Sequence, residues 1–138
     1  MARWSFVAAA SLITLATVAL PAESAAAADR AYELRTYIAA DGKLEDLQAR
    51  FRDHTVELFE KHGMTVVGFW VPSSGEAAAN TLIYLLSFPS EQARADAWKA
   101  FGADEEWKKV RAESEKNGPL LEKIESTMLK PTDYSPLR

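Results

Sequence analysis

Residues 64–88, MTVVGFWVPSSGEAAANTLIYLLSF, hold two apolar segments that are separated by a polar loop. The segments 64–71 and 81–88 are rich in the β-branched and aromatic residues that favour strands, and Pro72 ends the first of them. An antiparallel sheet with one face in water alternates apolar and polar residues along each strand. Neither segment alternates in this way, so the sequence predicts two strands that are covered on both faces.

The residues before this pair predict a strand and then a helix. Residues 31–38, AYELRTYI, alternate and carry Tyr, Thr and Ile, which is typical of a strand. Residues 43–62 follow a helical period and Gly63 ends it, with Asp41 as the predicted N-cap. One stripe of this helix is apolar (Leu44, Leu47, Phe51, Leu58 and Phe59) and the opposite side is charged (Asp46, Arg50, Asp53, Glu57 and Glu60).

The residues after the pair predict the second half of the domain. Pro89-Ser90 begins a helix that ends near Phe101-Gly102, Asp104 caps a further helical stretch, and residues 120–129 form the last strand. The order β-α-β-β-α-β is ferredoxin-like, an α+β fold with a four-stranded antiparallel sheet and helices on one face. The helices can cover only one face of the sheet, whereas the two apolar strands need cover on both faces. We therefore expect a second copy of the chain to cover the other face in a symmetric homodimer. The alternative is a monomer whose tail, 131–138, folds over the sheet.

Composition restricts the classes of function. The chain has 138 residues and a net charge of −4, which suits one domain and disfavours nucleic acid or an anionic membrane as the partner. It has no cysteine, so thiol nucleophiles, thiolate metal sites and disulfides are excluded. No phosphate loop, nucleophile elbow, metal-spaced cluster or dinucleotide fingerprint occurs in the sequence. These features disfavour hydrolase, kinase and dehydrogenase chemistry, and we predict no metal and no resident cofactor.

Residues 1–28 have the layout of a secretory signal peptide. Arg3 precedes the apolar stretch 6–20, and small residues follow, ending in the alanine run 25–28. Cleavage after Ala28 would leave residues 29–138 as the domain, without a stable membrane anchor. Because there is no twin-arginine pair, the pattern favours the general secretion route to the periplasm or the exterior of a bacterium. The alternative, an uncleaved anchor, would need roughly 20 apolar residues.

The two histidines are the first candidates for chemistry. His54 lies at the edge of the apolar stripe of the first helix, and we expect it to face the space between helix and sheet. A partly buried histidine there would be a general base, whereas the alternative is a histidine held by packing or hydrogen bonds. His62 precedes Gly63 at the helix end, which favours a structural role.

The strands supply further candidates. Glu33, Arg35 and Tyr37 share one face of the first strand, and buried charges there need partners. An ion pair across strands or across the dimer is one interpretation, and an anion or carbonyl contact by Arg35 is the other. The aromatic residues at core-like positions are interpreted either as plain core or as the wall of a pocket for a flat apolar ligand (Trp70, Tyr84, Trp98, Phe101 and Trp107). Arg35, Trp70, Tyr84 and Trp98 are the predicted ligand-binding residues.

Several short motifs resemble the NIPSNAP family, and they occur in the family's order over nearly all of residues 29–138. They are YELRTY (32–37), LFEKHGM (58–64), VGFW (67–70), EEW (105–107) and PTDYSP (131–136). The turn Ala40-Asp41-Gly42 departs from the Pro-Gly turn that members often carry. The resemblance implies the dimeric α+β barrel superfamily, in which two sheets pack face to face. It does not imply a reaction.

Three hypotheses for function remain at this point. The first is a module that binds a small apolar or aromatic ligand, or a protein partner. The second is a cofactor-independent monooxygenase that uses a pocket between helix and sheet, and the third is a haem-handling protein with His54 as axial ligand. The second and third rest on analogy with other members of the superfamily. The sequence alone does not decide whether the protein is an enzyme.

Overall fold

A computed structural model describes residues 30–137, and the predicted signal peptide and its cleavage site lie outside these residues. Four strands form one sheet: β1 (Ala31–Ala39), β2 (Thr65–Trp70), β3 (Thr81–Phe88) and β4 (Leu121–Leu129). Their spatial order is β2-β3-β1-β4, and every neighbouring pair is antiparallel. This is the ferredoxin-like arrangement that the sequence predicts, and the α+β fold class is confirmed.

Three helices lie between the strands in the chain. The first helix, α1, spans residues 44–61. It has a first α-helical part (Leu44–Arg50), a π-helical turn (Phe51–Thr55) and a second α-helical part (Val56–Lys61). The others are α2 (Glu91–Ala103) and α3 (Glu105–Ser114), and a short 3₁₀ turn (Glu76–Ala79) precedes β3. The bounds of α1 and α2 lie within two residues of the predicted ones, and the 3₁₀ turn lies in the polar loop between the two apolar segments.

Helix caps agree with the sequence in two cases and differ in one. The Ser90 hydroxyl accepts from the backbone N–H of Ala93, and Asp104 accepts from the N–H groups of Glu106 and Trp107. For α1 the N-cap is Lys43, without a side-chain cap, so the assignment of Asp41 was wrong. The Lys43 ammonium instead pairs with Asp46 in the first turn, at 3.0 Å.

The core lies between the helices and one face of the sheet. Tyr37 of β1, Tyr84 of β3 and Phe69 of β2 meet Phe51 of α1, with ring centroids 5.2–5.8 Å apart. Edge-to-face and tilted contacts of this kind add specificity to burial. Phe59 continues the ring cluster from α1 to Phe101 of α2 and Trp98.

The strand register assigns each side chain to a face. Arg35 lies opposite Tyr84, so odd-numbered residues of β1 share the face that the helices cover. Leu34 lies opposite Leu85, on the face that no helix covers, which we call the open face. A bulge in β2 shifts the register between Val66 and Gly68, and it places Trp70 opposite Ile83 on this same face.

One side chain of α1 departs from the predicted pattern. Arg50 was assigned to the solvent side, but it is only 5% exposed. The reason is that α1 packs against α3 as well as the sheet, and the Arg50 guanidinium donates to Ser114 and Glu115 at the end of α3. Two neighbours bury a wider arc of the helix than one apolar stripe indicates.

Candidate functional site

A cavity of about 380 Å³ lies between α1, α3 and the β1–β4 side of the sheet. This volume is within the usual range for small-molecule sites. Its wall is largely aromatic, with Tyr37, Phe51, Phe59, Phe101 and Trp107. The Phe101 and Trp107 rings lie 4.6 Å apart at 33°, close to a stacked arrangement. The cavity is therefore a slot with flat apolar walls.

The π-helical turn of α1 forms part of this wall. Phe51 and Thr55, its first and last residues, both line the cavity. The Thr55 hydroxyl donates to the carbonyl oxygen of Arg50 at 3.1 Å, which ties the wider turn together. Single π turns inside α-helices occur frequently at functional sites. The only π turn among residues 30–137 thus coincides with the aromatic cavity.

A charged group borders the aromatic wall. The Arg50 guanidinium donates to the Glu115 carboxylate at 3.0 Å, and Arg111 donates to the other oxygen of Glu115 at 3.3 Å. The centre of the Arg50 guanidinium lies 5.3 Å from the ring centroid of Trp107. The Nε atom of Arg50 is buried and has no hydrogen-bond partner in the part of the chain that the structure describes.

A second polar cluster, the Glu33 hub, lies under α2. The Glu33 side chain is fully buried, and four groups donate to it at 2.6–2.8 Å: Arg35, Arg94, Trp98 and Ser126. Arg94 and Trp98 are four residues apart on α2 and so share one side of that helix. Burial acts to raise the pKa of Glu33, but hydrogen bonds from Arg94, Ser126, Trp98 and Arg35 outweigh it and lower the pKa from 4.5 to about 2.

Arg35 connects the Glu33 hub to the cavity. Its guanidinium lies 4.4 Å from the Trp98 ring and also donates to the Tyr37 hydroxyl at 3.3 Å. Tyr37 in turn lines the cavity. Burial opposes the charge, but Tyr37, Tyr84 and Glu33 together raise the pKa of Arg35 above its ordinary value. The buried carboxylate of Glu33 is therefore paired within β1, with Arg35, and with Arg94 of α2.

The predicted ligand-binding residues do not form one pocket. Arg35 and Trp98 belong to the Glu33 hub, and Tyr84 is fully buried among Tyr37, Phe51 and Phe69. Burial raises the pKa of Tyr84 well above its usual range. Trp70 is 51% exposed on the open face, on the other side of the sheet from the cavity.

The histidines also occupy different places from each other. His54 is exposed and lines an open groove between α1 and α3, so it does not face the space between helix and sheet as we expected. Its catalytic role stays a prediction. His62 lies 2.7 Å from the Asp104 carboxylate and joins the end of α1 to the α2–α3 junction. Hydrogen bonds from Lys61 and then from His62 hold the pKa of Asp104 well below its usual range.

Sequence reasoning missed most of the charged residues at the cavity. Arg50, Thr55, Arg111 and Glu115 were not candidates, because helical periodicity reports the face of one helix and not which other helix packs against it. Phe101 and Trp107 were recognised as core or pocket aromatics, whereas Tyr37 was predicted only to share a strand face with Glu33 and Arg35. A usable signal was Arg50 itself, since it lies one residue before Phe51 of the apolar stripe.

Residues 30–137 contain neither a group of side chains placed to hold a metal ion nor a helix able to cross a membrane. No group of three or more histidine, aspartate or glutamate residues there is arranged to hold a metal ion. None of the helices within this range has the length and apolar character needed to span a bilayer.

The fold and the cavity together define an α+β domain with a ligand-sized cleft that is partly open to solvent. The family model for NIPSNAP matches residues 32–136, and the chain belongs to the NIPSNAP family. No curated protein matches the sequence.

Solved structures of family members share the fold. A NIPSNAP family protein of unknown function from Agrobacterium tumefaciens is 25% identical, with a TM-score of 0.69 over 80% of this chain and 96% of the other. An uncharacterised NIPSNAP-like domain protein from Burkholderia xenovorans is 18% identical, with a TM-score of 0.69 over 79% and 90%. SnoaB, a cofactor-independent oxygenase from Streptomyces nogalater, is 13% identical, with a TM-score of 0.52 over 79% and 99%.

Proposed function

We propose that this protein is a homodimeric binding protein that holds a small, planar, largely apolar molecule in the cavity between α1, α3 and the sheet. The observation that carries the proposal is the aromatic slot of about 380 Å³ built against a π-helical turn. The Phe101 and Trp107 rings present flat apolar surfaces, and a planar aromatic ligand can pack on such surfaces in an offset-stacked or edge-to-face arrangement.

The proposal is tested with a neutral planar probe, 2-naphthamide, by calorimetry. Ile124 lies opposite Tyr37 on β4, lines the cavity and is 46% exposed, so a tryptophan there can enter the cavity without displacing buried core. We expect Ile124→Trp to weaken binding at least about tenfold. Met128→Trp is the matched control, since Met128 lies on the same face of β4, is 41% exposed and does not line the cavity. Absence of binding, or equal binding by both variants, would overturn the proposal.

Homodimer formation through the open face is part of the same proposal. Trp70 on this face is 51% exposed, Val67 and Val71 near it in the chain are 37% and 44% exposed, and Leu34 and Leu85 add partly exposed apolar surface. An apolar patch of this kind marks an interaction surface. The alternative cover, the chain's own tail, receives no support from the tail residues Tyr134 and Leu137, which are 82% and 48% exposed.

Export is the remaining part of the proposal. It rests on the charged start, apolar stretch and alanine run of residues 1–28. The intact mass of protein recovered from the periplasm or medium of the source bacterium tests it. An intact mass that matches residues 29–138 supports cleavage after Ala28, and a mass that matches the full chain in the membrane fraction contradicts it.

A second candidate function is cofactor-independent oxygenation. The supporting observations are the fold shared with SnoaB and the presence of Tyr37 in the cavity wall, with a hydroxyl that accepts from Arg35. Oxygen uptake with an electron-rich dihydroxynaphthalene, measured against the spontaneous rate, tests this candidate. Tyr37→Phe should abolish any catalysed uptake, and uptake unchanged in that variant would rule out this assignment of the hydroxyl.

A further inference from the structure

The charges at the cavity indicate more about the ligand than its shape does. We infer that the ligand is a planar aromatic acid whose carboxylate binds Arg50 and Arg111, in place of part of the pairing that Glu115 now supplies. The inference rests on the proposed function, because it assigns the ligand class of the same cavity. The inference adds an anionic group to the ligand, which the aromatic walls of the cavity alone do not require.

The balance of charge is the first support. Arg50 and Arg111 share a single carboxylate, that of Glu115, with one oxygen serving each arginine. The other charged residues that line the cavity, Glu122 and Lys123, contribute one charge of each sign. Lys123 is already paired with Glu125, which does not line the cavity, so the imbalance is local to Arg50 and Arg111, which have one carboxylate between them. The carboxylate of a monoanionic ligand would supply a second anion to this pair of arginines.

The burial of Arg50 is the second support. Its side chain is 3% exposed, and its Nε–H has no hydrogen-bond partner among residues 30–137. A buried donor without a partner is unfavourable, so the present position of the Arg50 side chain is not its best-satisfied one, and a ligand acceptor reaches the Nε–H once the guanidinium turns towards the cavity. The guanidinium fork matches the two oxygens of a carboxylate, and such paired contacts are among the stronger hydrogen bonds in proteins.

The position of the guanidinium is the third support. Arg50 lies beside the Trp107 ring, at 5.3 Å, so a carboxylate that reaches Arg50 would leave its aromatic body next to Trp107 and Phe101. A ring system joined directly to a carboxyl group satisfies both requirements at once. A flexible aliphatic acid would satisfy the charge but would not fill the flat slot.

Glu115 then acts as a counter-ion that competes with the ligand. It is 24% exposed at the end of α3, where its side chain can move aside without repacking the core. Removing the Glu115 charge should lower the stability of the ligand-free protein and raise its affinity for an anion. This opposite change in stability and affinity would not result from a purely structural ion pair.

The experiment compares 2-naphthoate with 2-naphthamide, which have the same ring system and differ in charge. We expect the unmodified protein to bind the carboxylate about tenfold more tightly than the amide, with an affinity that falls as salt rises. Equal affinity for the two probes would overturn the inference and leave the proposed function intact. Binding of neither probe would overturn both.

Three variants locate the effect. Glu115→Gln should increase the affinity for 2-naphthoate and the thermal stabilisation that it gives, while Arg111→Gln should reduce both; Arg111 is 63% exposed, so the fold should tolerate its loss. Glu113→Gln is the matched control, since Glu113 is on the same helix and lies outside the cavity lining. If Glu115→Gln binds 2-naphthoate no better than Glu113→Gln does, the assignment of Glu115 and Arg50 is wrong.

Discussion

At the residue scale, the most constrained group is the Glu33 carboxylate. It is fully buried yet ionised, because two guanidinium groups, an indole N–H and a hydroxyl donate to it. A buried charge is tolerated only with such compensation. Arg35 of the same hub donates to the hydroxyl of Tyr37, a residue that lines the cavity, so a structural ion pair and the candidate site are physically connected.

The hub leads to a prediction about pH. The folded pKa of Glu33 is about 2 and its ordinary value is 4.5, so the stability it contributes is present above pH 4.5 and is lost as the pH falls towards 2. The shift corresponds to about 3 kcal/mol. Urea unfolding should show Glu33→Gln to be less stable at pH 6, with the difference shrinking as the pH falls to 2.5. A difference that does not depend on pH would contradict this account.

The same residues show what the sequence could and could not supply at this scale. Glu33 and Arg35 could be predicted to need partners, because charges on an interior strand do. Their partners could not be identified, since Arg94, Trp98 and Ser126 lie 61 to 93 residues away in the chain. Their positions depend on how α2 and β4 pack, which local patterns do not encode.

At the element scale, α1 is where prediction and structure differ most. The apolar stripe correctly predicted the helix and its buried Leu47, Phe51, Leu58 and Phe59. The π turn could not be predicted, because Phe51–Thr55 has an ordinary helical composition and the wider turn is tied by one Thr55 hydrogen bond and by packing. Helix α3 on the flank of α1 then made Arg50 a buried residue.

The π turn is tested by Thr55→Val, which keeps the shape of the buried side chain and removes its hydroxyl. Thr55 is 1% exposed and its hydroxyl donates to the Arg50 carbonyl. We expect the free energy of unfolding to fall by about 1 kcal/mol, the usual net value of such a bond. Thr55→Ser should retain most of the stability that depends on the bond. If the valine variant is as stable as the unmodified protein, the hydroxyl does not stabilise the turn.

At the scale of the whole molecule, the two faces of the sheet have separate roles. The helix-covered face holds the core, the Glu33 hub and the aromatic cavity, while the open face presents exposed apolar groups. The sequence anticipated this division from strands that do not alternate. Trp70 belongs to the open face, and its ring lies over Gly68. A Cβ atom on Gly68 would come within 2.7 Å of this ring.

The proposed dimer gives a prediction at this scale. Trp70→Glu places a charge on the apolar open face, and we expect it to shift the protein from dimer to monomer in sedimentation experiments. Met128→Glu is the control, because Met128 is also an exposed apolar strand residue but belongs to the other face. A Trp70→Glu protein that remains dimeric would place the interface elsewhere.

A milder change tests the same surface. Gly68→Ala should displace the Trp70 ring, which is free to move because it is half exposed. We expect the fold to lose little stability while the dimer dissociates at higher concentration than the unmodified protein does. Thermal unfolding and a concentration series in sedimentation would separate the two effects. A variant with an unchanged dissociation constant would show that the ring does not contribute to the interface.

The central claim is that the cavity beside the π turn binds a flat ligand, and the indole N–H signals of the protein test it directly. Three of the four tryptophans lie in different places: Trp107 in the cavity, Trp98 on the Glu33 hub and Trp70 on the open face. In a ¹H–¹⁵N spectrum assigned with Trp→Phe variants, 2-naphthamide should move the Trp107 signal and leave the Trp70 signal in place. A shift confined to Trp70 would place binding on the open face and contradict the claim.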